Sequence, residues 1–146
     1  MNPTLHYTFI APETPPERRL GASVQLCPVA AGWPSPAEDY VEKHLDMHKL
    51  VVRNPSATFF VYATGDSMLR AGIHEGDLLV VDRSLDARPG KVVIASYEGD
   101  LTVKRFVRRG KRSFLVPEND GYPEFEISGR EDVCIWGVVT YVLHQL

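Results

Sequence analysis

The sequence predicts a mainly β fold, in which an antiparallel β-domain follows a short helix and an extended N-terminal arm. From residue 57 onward, seven runs rich in β-branched and aromatic side chains alternate with short clusters of turn residues. Only one stretch upstream of them has apolar residues at helical spacing. Seven of the 11 prolines lie within the first 36 residues, which favours an extended or irregular backbone there.

Composition narrows the class of protein. The chain has 146 residues, about one domain's worth, and 44% of them are hydrophobic, so a substantial core can form. The formal charge of -3 disfavours a protein that holds nucleic acid through non-specific phosphate contacts. We also expect no direct sequence-specific DNA binding, because the proline-rich first 31 residues cannot form a helix-turn-helix.

The predicted order of segments is an arm over 1–31, a linker with the short helix over 32–56, and the β-domain over 57–146. The helix is expected from Ser35 to about Leu50. Ser35 and Glu38 form a capping box, and Pro36 occupies the first helical position. One face of the helix is then marked by residues at helical spacing; they are Ala37, Tyr40, Val41, His44 and Leu45.

The β-domain is expected to contain seven strands. They are predicted over residues 57–63, 78–82, 92–97, 101–107, 114–117, 125–128 and 133–143. Glu98-Gly99-Asp100 joins two of these runs as a hairpin. Mainly antiparallel pairing follows from such short connections.

Cysteine content favours a reducing compartment. Cys27 and Cys134 are too few for a disulfide framework, and no Cys-x-x-Cys spacing indicates a metal site, so we predict no metal and no cofactor. The uncharged run over 20–37 resembles a secretory leader at its small-residue end, but it contains prolines and polar residues. No apolar stretch approaches the ~20 residues that span a bilayer. We therefore expect a cytoplasmic protein with no membrane partner.

Two residues offer hydrolytic chemistry if they meet in the fold. Ser67 lies in Gly65-Asp66-Ser67-Met68, where a turn could expose its hydroxyl beside backbone N–H groups. Lys104 lies within an apolar strand, where burial could lower its pKa enough for the amine to act as a base. The period of two in strands places Thr102, Lys104 and Phe106 on one face and Arg105 on the other.

Other serine chemistries receive less support. A G-x-S-x-G elbow would need glycine at Leu69, and an S-x-x-K motif would need lysine at Arg70. The five histidines form no motif around Ser67, although their number leaves a Ser-His-Asp triad open. A serine before methionine and a lysine in a strand are usually structural. The pair therefore depends on the wider pattern of the chain.

That wider pattern resembles the Ser-Lys self-cleaving, S24-like peptidase domain of LexA-type repressors and UmuD-type proteins. The motifs, in order, are Gly65-Asp66-Ser67-Met68, Gly72-Ile73, the GDLLVVD of 76–82, the GKVVIA of 90–95 and the LTVKR of 101–105. Upstream, the AGWPSPAEDYVE of 31–42 and the NPSATFFV of 54–61 resemble the UmuD branch. The resemblance thus extends from about residue 30 to the C-terminus.

The resemblance implies a LexA/signal-peptidase-like β fold and a serine endopeptidase that cleaves its own chain. Ser67 would be the nucleophile, Lys104 the general base, and the backbone N–H groups of Ser67 and Met68 the oxyanion donors. It also implies a homodimer that serves the SOS response as accessory subunit of an error-prone translesion DNA polymerase. Cleavage would be stimulated by a RecA filament on single-stranded DNA, and the partner would be a UmuC-like Y-family catalytic subunit.

The resemblance places the cleaved bond between Ala31 and Gly32. Small side chains on both sides would let this backbone enter a tight site, and a proline-bracketed arm could lie against a sheet edge as an added strand. Cleavage after Cys27 is the less favoured alternative, because Pro28 would follow the bond.

Other functions stay open at this point. A LexA-like repressor fragment and a catalytically silent β binding module are the alternatives, and a membrane signal peptidase would need an anchor. Six of the 16 basic residues lie between positions 104 and 112, which could indicate a nucleic-acid patch. We favour a charged hairpin tip or protein-contact surface, because the total charge is negative. The six are Lys104, Arg105, Arg108, Arg109, Lys111 and Arg112.

Overall fold

A computed structural model describes residues 22–25, 32 and 42–146. The chain divides into two compact units, with the boundary between Arg53 and Asn54. In the smaller unit, strand β1 (Ala22–Gln25) pairs antiparallel with strand β2 (Glu42–Leu45), and helix α1 (Met47–Val51) follows. Asp46 caps α1 by accepting a hydrogen bond from the Lys49 N–H.

The predicted helix over 35–50 is wrong for Glu42–Leu45, which form a β-strand. Residues 35–41, with the capping box, lie outside the described residues. Backbone pairing with Ala22–Gln25, which is distant in sequence, replaces the local helical hydrogen bonds at Glu42–Leu45. Strand β1 itself was not predicted, because it lies in a segment assigned to the arm.

The larger unit contains one seven-stranded sheet with the order β3-β4-β9-β5-β6-β7-β8, in which every neighbouring pair is antiparallel. Its strands are β3 (Thr58–Tyr62), β4 (Leu78–Asp82), β5 (Val92–Tyr97), β6 (Asp100–Arg109), β7 (Arg112–Val116), β8 (Phe125–Glu126) and β9 (Val133–Leu143). All seven predicted strands are confirmed, with small shifts at several ends. The mainly β fold class is likewise confirmed.

The predicted hairpin between β5 and β6 is present, and its turn is one residue shorter than predicted. Asp100 already pairs with Tyr97, so the turn contains only Glu98 and Gly99. Both have positive φ, 50° and 89°, as a two-residue hairpin turn of type I′ requires. This turn sets the register that pairs Lys104 with Val93.

The sheet buries apolar side chains on both faces. One cluster includes Leu79, Ile94 and Val103, while the other includes Val93 and Phe106. Neighbouring residues on a strand therefore enter different clusters, as pleating requires. None of the helices in the described part of the chain is both long and apolar enough to cross a membrane.

Candidate active site

Ser67 lies in a turn between β3 and a short 3-10 helix over Leu69–Ala71. Gly65 and Gly72 on either side of this segment have φ of 79° and 75°, a left-handed conformation that glycine adopts without strain. The turn leaves Ser67 partly exposed and buries Met68 beneath it. The local sequence therefore presents the hydroxyl at the surface, as predicted.

Lys104 lies on β6 and is half-buried. It pairs with Val93, and Thr102 pairs with Ala95, so both face the same apolar cluster as Phe106. Arg105 points the other way and forms a salt bridge with Glu118. The predicted alternation along this strand is confirmed.

The fold brings the two candidate residues together. Lys104 Nζ lies 3.1 Å from Ser67 Oγ, 3.0 Å from Thr102 Oγ1 and 2.9 Å from the Val103 carbonyl oxygen. The sequence indicated Ser67 and Lys104 but not the contribution of Thr102. Its position two residues before the lysine, on the same strand face, is the signal that could have identified it.

Burial lowers the pKa of Lys104 below its usual 10.5. Among the described residues, no carboxylate forms a salt bridge with this amine. A nearby negative charge would oppose the effect of burial by favouring the ammonium form. Burial therefore shifts the equilibrium of Lys104 toward the neutral amine, which is the form that can accept a proton.

Backbone donors are available beside the serine. Within the described part of the chain, neither the Ser67 N–H nor the Met68 N–H donates a hydrogen bond. The neighbouring donors are occupied, since the Leu69 N–H reaches the Asp66 carbonyl and the Arg70 N–H reaches the Glu118 carbonyl. Two free N–H groups next to a nucleophile have the chemistry of an oxyanion hole.

A cavity of about 310 Å³ opens beside this pair of residues. Besides Ser67 and Lys104, its lining is largely apolar and includes Leu101, Leu115 and Phe125. A mostly apolar cleft with a few convergent polar groups is typical of a binding site.

The segment after β7 holds the serine turn in place, a role that sequence reasoning missed. The Glu118 N–H donates to the Ser67 carbonyl at 2.8 Å, and Asn119 Nδ2 donates to the Asp66 carbonyl at 2.9 Å. The Tyr122 hydroxyl donates to the Asp66 carboxylate, which raises the pKa of Tyr122. The sequence indicated only a turn at these positions, because the contacts join segments some 50 positions apart.

Comparison with known proteins decides the family. The model of the Peptidase S24-like family matches residues 25–140. Protein ImpA of Salmonella typhimurium is 49% identical over 115 residues, 79% of this chain and 78% of that protein. MucA of Escherichia coli is 47% identical over 116 residues, 79% of each chain, and SamA of Salmonella typhimurium is 43% identical over 138 residues, 94% of each.

The chain belongs to the S24-like peptidase family. The predicted UmuD-like, self-cleaving serine peptidase of the SOS response is thereby confirmed at the level of family and activity.

In this S24-like chain, the six basic residues lie along β6, in the β6–β7 turn and at the start of β7. Three of the four arginines form salt bridges with acidic residues of the following segment: Arg105 with Glu118, Arg109 with Glu124 and Arg112 with Glu126. The interpretation as a charged hairpin tip or protein-contact surface stays a prediction.

The predicted cleavage bond lies only partly within the described residues. Gly32 is exposed at a bend, and among the described residues no heavy atom would lie within 4 Å of a Cβ at this position. Ala31 lies outside the described residues. Gly32 belongs to the smaller unit and Ser67 to the larger one.

Proposed function

We propose that this S24-like peptidase cleaves its own chain between Ala31 and Gly32, with Ser67 as nucleophile and Lys104 as general base. The observation that carries the proposal is the 3.1 Å distance between Lys104 Nζ and Ser67 Oγ, in a site where burial lowers the lysine pKa. A general base must lie within hydrogen-bond reach of the proton it removes, and this distance meets that requirement.

The reactive form of Lys104 in this proposal is the neutral amine. Such an amine has two N–H donors and one lone pair. In the reactive state of this proposal, the two N–H groups donate to Thr102 Oγ1 and to the Val103 carbonyl, and the lone pair accepts the Ser67 hydroxyl proton. All three positions are filled without a charged partner.

The first chemical step forms an acyl-enzyme. Lys104 takes the Ser67 hydroxyl proton while Oγ bonds to the Ala31 carbonyl carbon, and the backbone N–H groups of Ser67 and Met68 bind the resulting oxyanion. The Ala31–Gly32 C–N bond then breaks, and the Lys104 ammonium returns the proton to the Gly32 amine. Residues 32–146 thereby gain a new N-terminus at Gly32, and residues 1–31 stay attached to Ser67 Oγ through an ester bond.

The second step releases the arm. A water molecule gives a proton to Lys104 and its oxygen attacks the Ala31 ester carbon, and the ester bond to Ser67 breaks as Oγ takes the proton back. Residues 1–31 depart with a terminal carboxylate, and the Ser-Lys pair returns to its starting state.

Small residues and exposure support Ala31-Gly32 as the bond. Neither side chain extends beyond a methyl group, so the backbone can approach Ser67 closely, and Gly32 is exposed to solvent. Residues 1–31 have a formal net charge of zero, because the two acidic residues Glu13 and Glu17 offset the two basic residues Arg18 and Arg19. Loss of the arm therefore changes the exposed surface rather than the net charge.

The proposal extends to the partners that the family resemblance implies. The cleaved product acts in the cytoplasm as a homodimer and as the accessory subunit of a UmuC-like Y-family translesion polymerase. A RecA filament on single-stranded DNA accelerates the cleavage. Membership of the S24-like family and similarity to ImpA and MucA support this assignment.

Intact-mass spectrometry after incubation at alkaline pH tests the cleavage. The parent chain should yield a fragment that begins at Gly32, and Ser67→Ala and Lys104→Ala should stay intact. Lys111→Ala is the matched control, because this lysine is exposed at the hairpin tip and should not affect cleavage. A parent that stays intact even with a RecA filament on single-stranded DNA would contradict the proposal and leave a β binding module.

A further inference from the structure

A cluster of three potential ligands lies in the larger unit and lines no part of the active-site cavity. It contains His74 and Asp77, which precede β4, and His144, which follows β9. Their nitrogen and oxygen ligand atoms all lie within 4.8 Å of one another. The proposed peptidase chemistry uses none of these three residues.

Asp77 is the anchor of this cluster. The residue is only 3% exposed, and its Oδ2 accepts a hydrogen bond of 2.8 Å from the His74 N–H. The backbone thus orients the carboxylate toward the two imidazoles, as outer hydrogen bonds do for ligands in metal sites. A carboxylate held in this way needs little reorganisation to bind a cation.

Both imidazoles present a ring nitrogen to this carboxylate. His144 Nδ1 lies 2.5 Å from Asp77 Oδ1, and His74 Nδ1 lies 3.6 Å from Asp77 Oδ2. The two ring centroids are 4.7 Å apart. The histidine side chains are 47% and 41% exposed, so they can rotate slightly, and solvent can reach the position between them.

We propose that His74, Asp77 and His144 bind a divalent transition-metal ion such as Zn²⁺. Two imidazoles and one carboxylate suit this class of ion, whose bonds to such ligands are about 2.0–2.2 Å long. Tetrahedral bonds of that length place ligand atoms roughly 3.3 Å apart, which small rotations of the exposed histidines can achieve. Water fills the remaining coordination position.

Such an ion links two segments that are distant in sequence. His144 and Asp77 are 67 positions apart, and they join the C-terminal end of β9 to the turn before β4. The same turn is hydrogen-bonded to Ala63, which lines the active-site cavity, through Ala63 N–H to the Asp77 carbonyl and Gly76 N–H to the Ala63 carbonyl. Bound metal therefore stabilises the folded larger unit, since an ion that binds only the folded state raises its stability.

Calorimetric titration of the full-length chain with ZnCl₂ tests the site. The parent should bind one ion per chain, and His74→Ala and His144→Ala should each weaken binding by roughly tenfold or more, because each removes a direct ligand. His48→Ala is the matched control, because this histidine is exposed in α1 and outside the cluster. It should bind as tightly as the parent. Circular dichroism confirms that the variants are folded.

Two further measurements distinguish zinc binding at this cluster from zinc binding by other side chains of the protein. Zinc should raise the melting temperature of the parent but not of His144→Ala, and Co²⁺ should give a d–d absorption band that His144→Ala loses. A variant with Cys27 and Cys134 both replaced by serine should keep the parent's affinity. Absence of binding, equal affinity in His144→Ala and the parent, or loss of affinity only in the cysteine variant would each overturn the proposal.

Discussion

Lys104 Nζ lies 3.1 Å from Ser67 Oγ, although 37 positions separate the two residues. A glycine-flanked turn presents the serine, while a paired strand holds the lysine backbone. Two acceptors fix the amine, one of them the Thr102 hydroxyl. The pair is thus positioned before any substrate arrives, which is the condition under which a general base is effective.

Self-cleavage should accelerate as pH rises from about 7 toward 10, because only the neutral Lys104 amine accepts the serine proton. Burial lowers the pKa of this lysine below 10.5, so the rate should level off below that pH. Beneath the folded-state pKa, each pH unit should raise the rate by roughly tenfold. Intact-mass spectrometry at a series of pH values measures this, and Lys111→Ala should show the parent's profile. A rate that stays flat over this range would count against Lys104 as the base.

Thr102→Val should slow self-cleavage by roughly fivefold, because it removes one acceptor that orients Lys104 and a hydrogen bond contributes about 1 kcal/mol. The hydroxyl also stabilises the ammonium form, so its loss should move the midpoint of the pH–rate profile downward. Thr102→Ser keeps the hydroxyl acceptor, so its cleavage rate and the midpoint of its pH–rate profile should stay near those of the parent. A slower Thr102→Val with an unshifted midpoint would indicate a merely structural role.

Asp82→Asn should lower the free energy of unfolding at neutral pH by about 2 kcal/mol, because the buried carboxylate accepts charge-assisted hydrogen bonds. Burial alone would raise the Asp82 pKa, but hydrogen bonds from Ser84 and Asn54 outweigh it and lower the pKa. The ionised Asp82 carboxylate therefore stabilises the folded state fully at pH values above its unfolded-state pKa of about 3.9. This stabilisation is lost as the pH falls through the lower folded-state pKa.

Urea unfolding of the parent and Asp82→Asn at several pH values measures this difference. The difference in the free energy of unfolding between the parent and Asp82→Asn should become smaller as the pH falls toward the folded-state pKa of Asp82. Asp86→Asn is the control, because Asp86 is exposed, and it should leave stability nearly unchanged. A gap that is independent of pH would show that the ionised carboxylate is not its source.

Gly137→Ala should destabilise the larger unit by about 1–3 kcal/mol, because the added methyl group overpacks the sheet. A Cβ at this position would lie 2.7 Å from Val81 Cγ1, and Val81 is fully buried. Gly121→Ala is the matched control, since no heavy atom beyond its chain neighbours lies within 4 Å of its Cβ position. Thermal denaturation compares the two, and equal melting temperatures would contradict the expected clash.

Local signals predicted the strands well. The bounds of β4, β5 and β9 coincide with the predicted runs, because β-branched side chains between turn residues specify an extended backbone over a few positions. The same kind of reasoning failed at Glu42–Leu45. There, pairing with β1 supplies hydrogen bonds that no local pattern reveals.

Sequence motifs were sufficient to predict the family of this protein and its candidate nucleophile and base. Motifs in a fixed order carry that information, because Ser67 and Lys104 lie in short segments whose own residues specify a turn and a strand. Only the folded structure shows the distance between these residues and the two acceptors that hold the lysine. It also shows the contacts of Glu118, Asn119 and Tyr122 with the serine turn. It also decided that His74, Asp77 and His144 meet. Such contacts depend on strand order and register, which bring together residues that no local pattern relates.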